Sequence, residues 1–94
     1  MSNKLKQKLS DVMNIPDELI TDSPKIEFES NRRVWIENYR GIIEYTDELV
    51  RVNTADFIII IAGSEFTIFS VTLDDLCIDG NITSVEFKSR EDIW

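Results

Sequence analysis

Histidine is missing from this chain of 94 residues. Its absence removes the commonest general base, the commonest metal ligand and every histidine-containing nucleophile triad. Cysteine is represented once, by Cys77, so neither an intrachain disulfide nor a cysteine-based metal site is expected. Three glycines and two prolines are too few for a linker or low-complexity segment, and Gly41, Gly63 and Gly80 stand apart rather than forming a phosphate-cradling loop. No apolar run approaches the roughly 18 residues of a membrane-crossing helix. The Lys-rich start also lacks the continuous apolar stretch of a secretory signal, because polar residues separate Leu5, Leu9 and Val12. These gaps lead to the expectation of a soluble cytoplasmic protein built as a single domain. A domain of this size buries about two-thirds of its unfolded surface.

What is present is acidic. The net charge is −8 and the pI near 4.4, which argues against nucleic acid as a partner, since phosphate binding rests on clustered Lys and Arg. The charge is uneven. Residues 1–13 carry Lys4, Lys6 and Lys8 against Asp11 alone, a net of +2, so the remaining 81 residues carry −10.

The basic front piece has helical periodicity. Ser2 is placed to cap a helix running to Met13, with Leu5, Leu9, Val12 and Met13 on one stripe. Ile15-Pro16 ends it. Such a helix either packs over one end of a sheet or serves as a peripheral anchor on an anionic membrane or a docking element for a partner. Three lysines near an anionic surface are worth about 1 kcal/mol each, so the acidic body would oppose unaided membrane approach. Residues 1–22 are therefore read as helix plus linker, and 23–94 as the β-domain.

From Lys25 the period changes to two. Lys25–Ser30, Arg33–Tyr39, Ile42–Thr46, Leu49–Asn53, Phe57–Ile61, Glu65–Leu73, Leu76–Asp79 and Ile82–Lys88 read as strands, with Asn31-Arg32, Arg40-Gly41, Asp47-Glu48, Thr54–Asp56, Gly63-Ser64, Asp74-Asp75 and Asp79–Asn81 as breaks. The apolar parity switches around Phe69, which predicts a bulge or twist there. With no helical pattern between strands, a parallel βαβ architecture is excluded. The expected fold is mainly β: a short N-terminal helix followed by six to eight short, mostly antiparallel strands in a small sandwich or barrel, with a short β-solenoid as the alternative.

Candidate chemistry is thin. Cys77 lies between Leu76 and Ile78 with no base to activate it and is read as a packed side chain. The adjacent pairs Asp47-Glu48 and Asp74-Asp75 sit where turns call for such residues. A carboxylate hydrolase would need two carboxyl groups facing across a cleft, and a calcium loop of Asp74, Asp75 and Asp79 lacks the required spacing. The chain is therefore expected to be no enzyme and to use no cofactor or metal. Contact is the better-supported expectation. Asn31–Tyr45 concentrates Arg32, Arg33, Trp35, Tyr39 and Arg40, residue types enriched at binding hot spots, although Trp35 in the core and arginines offsetting local acidity would also account for them. With Lys4, Lys6 and Lys8 they form the candidate partner-binding set. Phe57–Ile61 is apolar on both faces, so self-association into a homo-oligomer is a further expectation. A β-domain enclosing a small ligand in an apolar cavity is the alternative.

The Lys-rich helix, the Ile15-Pro16 link and the stretch NRRVWIENYRGIIEYTDELVRVNT resemble the YabP/YqfC family of sporulation proteins, its YqfC branch especially. The later FIIIIAGSEFTIFSVTLDDLCIDGNITSVEF is similar to the family's run of short strands, a Gly-containing turn and a closing strand pair, so the likeness spans nearly the whole chain. The resemblance implies a protein of endospore-forming bacteria, made in the mother cell and required for a normal spore. It also implies a membrane-associated sporulation protein as partner, and a cytoplasmic location peripheral to the membrane around the forespore. It carries over no catalytic residue. The four isoleucines after Phe57 are an unusually apolar version of the family's strand.

Overall fold

The computed structural model describes residues 23–89; the helix expected over Ser2–Met13 lies outside them. Six strands follow one another: β1 Lys25–Glu29, β2 Arg33–Glu37, β3 Tyr39–Tyr45, β4 Leu49–Thr54, β5 Ile58–Val71 and β6 Asp75–Lys88. All pairings are antiparallel, in one open sheet of order β1-β2-β6-β5-β4-β3.

The long β5–β6 hairpin organises the sheet. Near its turn, β6 residues Asp75–Asp79 pair with β2; near its base, β5 residues Ile58–Ala62 pair with β4. Each outer hairpin thus joins a different half and a different side of the same ribbon. The ribbon bends between the halves, and the register of β5 with β6 shifts at Ala62/Gly63, Ser64/Thr67 and Ile68/Ser70. The bend brings one face of the sheet onto itself. Val34 and Ile36 of β2, Val50 and Val52 of β4, Ile59 and Ile61 of β5, and Leu76 and Ile78 of β6 join Phe66 and Ile82 in one buried cluster. Burial alternates along β2 and β4, as period-two patterning requires.

Three hairpin turns share one device. Thr46, Thr54 and Thr72 each donate their backbone N–H to the carbonyl three residues on, at 2.8, 3.0 and 2.8 Å. Each hydroxyl oxygen also accepts the N–H groups two and three residues on. These local bonds satisfy turn backbone that would otherwise compete for the ladder.

Several boundaries differ from those expected. Gly63-Ser64 and Asp79–Asn81 are not turns but bends inside continuous strands. The reason is proximity: a Cβ on Gly63 would overlap the Asn81 carbonyl oxygen, and one on Gly80 would collide with the Phe66 ring. The chain also does not break at Arg40-Gly41. It turns at Asn38, which has φ 62° and donates its backbone N–H to the Asp74 carbonyl at 2.7 Å, while β3 runs on through Gly41. The bulge expected near Phe69 is present, because Ile68 pairs with Ile78 and Ser70 with Cys77, leaving Phe69 unmatched.

Candidate interaction surface

Pairing of β2 with β6 sets Arg33 opposite Asp79 and Trp35 opposite Cys77, on the face turned away from the core. The Phe69 bulge directs its ring to this face as well. Arg33 is held from several directions. Its Nε and Nη2 donate to Asp79 Oδ1 and Oδ2, the second at 2.8 Å, in a bidentate pair. Its guanidinium lies 3.9 Å from the centroid of Phe69 and 5.4 Å from that of Trp35. The hydrogen bonds from Arg33 hold the Asp79 carboxyl below its usual value, and those to Asp79 raise the guanidinium further. Cys77 is buried on the same face, and burial pushes its thiol pKa up even though Arg33 pulls the other way. It is a poor thiolate and a well-packed side chain.

Beside this cluster lies an open cleft of about 570 Å³. Its charged walls are Glu29, Arg32, Arg33, Glu65 and Asp79, and Asn81 Nδ2 donates across it to Ser64 Oγ at 3.5 Å. Among the described residues no group of three or more His, Cys, Asp or Glu is placed to hold a metal ion. No helix among them is long and apolar enough to cross a membrane.

The sequence-predicted residues divide. Arg33 and Trp35 share a face, and Arg32 reaches the neighbouring cleft from the β1–β2 turn. Arg40 is exposed on β3 and takes no part. Tyr39 packs against the core from the other half of the sheet and donates its hydroxyl to the Thr72 carbonyl at 2.6 Å. Lys4, Lys6 and Lys8 lie outside the described residues. Trp35 is half-buried on the outer face, so it is not part of the central core. Sequence reasoning missed Phe69 and Asp79 as partners of Arg33. The parity switch at Phe69 was the available signal, since a bulged residue is turned from the face its neighbours serve.

Comparison with known proteins adds lineage to this geometry. The YabP family matches over residues 21–93. A protein of Bacillus subtilis (strain 168) designated "Uncharacterized protein YqfC" is 27% identical over 85 residues, which cover 90% of this chain and 91% of that one. No solved structure matches. A match running from just before β1 to past the end of β6 takes in the whole bent sheet with its arginine–aromatic face, and the chain belongs to the YabP family.

Proposed function

We propose that this chain is a non-enzymatic interaction protein of endospore formation, acting in the mother cell with a membrane-associated sporulation protein as partner. Family membership supports the sporulation setting. The observation that carries the contact reading is Arg33, braced by Asp79 and stacked on Phe69 beside Trp35. A surface arginine held in one geometry, flanked by aromatic rings, loses little side-chain freedom on binding, which is the property of a hot spot. The sole cysteine is buried with a raised pKa, and no histidine accompanies it, which supports reading Cys77 as a packed side chain rather than a nucleophile. The small-ligand alternative asks for an enclosed apolar cavity, whereas the cleft is open and walled by charge.

The test is a heat-resistant spore count after gene deletion, with vegetative growth as control. Complementation would use the wild-type chain, residues 14–94, and the double variant Arg33→Glu/Trp35→Ala. The reading expects a selective fall in spores, rescue by wild type, and failure of Arg33→Glu/Trp35→Ala despite normal protein levels. Full rescue by that variant would remove the arginine–aromatic face from the function. Normal spore numbers on deletion would remove the sporulation role itself.

A further inference from the structure

The exposed apolar side chains are not scattered. Ile58, Ile59 and Ile61 are buried, so the strand whose two apolar faces suggested self-association leaves little surface for it. Six of the nine exposed large apolar side chains among the described residues lie where the bent sheet meets itself, with Phe28, Phe69 and Phe87 elsewhere. β4 pairs with β5 as far as Ala62, and the β3–β4 turn carries the contact on. Gly63 donates its N–H to the Glu48 carbonyl and Phe66 to that of Asp47. β5 therefore runs free on that side from Thr67, and β3 is an edge strand. These two free edges lie alongside each other, linked by the Tyr39 hydroxyl to the Thr72 carbonyl at one end and the Tyr45 hydroxyl to the Phe66 carbonyl, 3.1 Å, at the other. Along the seam Ile42, Ile43 and Tyr45 on one lip and Ile68, Val71 and Leu73 on the other are 36–94% exposed, Leu73 most of all.

We propose that this seam is the interface through which two copies of the chain form a two-fold dimer. The area fits. At these exposures, and at on the order of 150–200 Å² for each large side chain, the six offer about 500–600 Å² of apolar surface. A stable interface buries about 800 Å² per partner, of which roughly 60% is apolar, so the seam matches one partner's share. The middle of the seam is also low in charge. Residues 66–73 contain no charged side chain, and Glu44, between Ile43 and Tyr45, is drawn into an ion pair with Arg51 at 3.3 Å. Two copies, each carrying −8, repel one another, and the exposed Asp47, Glu48, Asp74 and Asp75 place that repulsion at the two ends of the seam rather than along residues 66–73. The tyrosine bridges and the Phe69 bulge block backbone strand addition, so the contact is between side chains.

The dimer rests on the seam alone and stands whether or not the sporulation reading does. Sedimentation velocity of the full chain from about 1 to 200 µM tests it. The expected result is a shift from 10.9 kDa to twice that mass, strengthened by added salt, which screens repulsion between like-charged copies. Leu73→Glu and Ile43→Glu are each expected to weaken the dimer at least tenfold while leaving the melting curve of dilute protein unchanged. A monomer across the whole range, or a dimer indifferent to both substitutions, overturns the proposal. Hydrogen exchange on the wild-type chain supplies a reading that needs no variant. Amides of 42–45 and 66–73 are expected to slow with rising concentration, and protection there that is independent of concentration would equally overturn it.

Discussion

The two flanks of the bent sheet are closed in different ways. On one, the β1–β2 turn is laced to β6: Gly80 donates its backbone N–H to the Arg32 carbonyl at 3.0 Å, Ile82 to the Asn31 carbonyl at 2.7 Å, and the Asn31 and Asn81 amides bond to each other at 3.1 Å. On the other, two tyrosine hydroxyls span the seam between β3 and β5, and large apolar side chains stay in water. The first flank is sealed by main chain and ringed with charge; the second is pinned at its ends, with only Arg40 and the ion-paired Glu44 as charges between them. The contrast separates a surface that has met its own hydrogen-bonding needs from one left with surface to bury. The arginine–aromatic face belongs to the sealed side, and the apolar seam to the other.

The largest expected effect is on the sealed side. Gly63→Ala places a methyl group against the Asn81 carbonyl, so strand spacing at the bend must change, at a cost of about 3 kcal/mol in urea denaturation. Gly41→Ala is the control, because nothing lies within 4 Å of the position. A loss at Gly41 as large as that at Gly63 would erase the distinction between a crowded bend and an open strand.

A smaller effect is expected at the seam. Tyr39→Phe and Tyr45→Phe each remove one bridging hydroxyl and should cost about 1 kcal/mol, less at Tyr39, whose bond is exposed, than at Tyr45, whose bond to the Phe66 carbonyl is partly buried. Hydrogen exchange should quicken across 66–73 and stay unchanged at Gly80 and Ile82. Equal quickening on both flanks would mean that the flanks open together.

The smallest effect is a dependence on acidity confined to the sealed side. Because the folded Asp79 carboxyl titrates below its ordinary value of 3.8, its contribution is fully present above that pH. It is lost as pH falls through the lower folded value. The pair is partly open to solvent, so the amplitude should be modest and reduced by salt. Comparing wild type with Asp79→Asn by thermal melting from pH 7 to pH 3 should show the difference between them shrinking toward the acid end. A constant difference would assign Asp79 a role that does not depend on its charge.

Much of the sheet was legible in period-two patterning, because each of β1, β2 and β4 carries one apolar set that must face the core. β5 and β6 read as four strands instead of two, for a physical reason. A lone glycine between apolar runs marks either a turn or a place where another backbone passes closely, and only the fold reveals that Asn81 and Phe66 occupy the space at Gly63 and Gly80. Arg33 and Trp35 could be placed on one face from their spacing alone. Asp79 and Phe69 could not, since they reach Arg33 through a strand pairing 46 residues distant and a bulge. Tyr39 was grouped with the arginines by proximity in sequence, yet Asn38 turns the chain between them and delivers Tyr39 to the seam.

The long β5–β6 ribbon has a consequence for the order in which the protein forms. The hairpins β1–β2 and β3–β4 come first from the ribosome, and neither has its central neighbour until residues 58–88 follow. Isolated two-stranded hairpins are barely stable in water. The two hairpins therefore wait for different parts of the ribbon: β3–β4 has its neighbour once β5 has emerged, whereas β1–β2 needs β6, which the Thr72 turn carries back along β5.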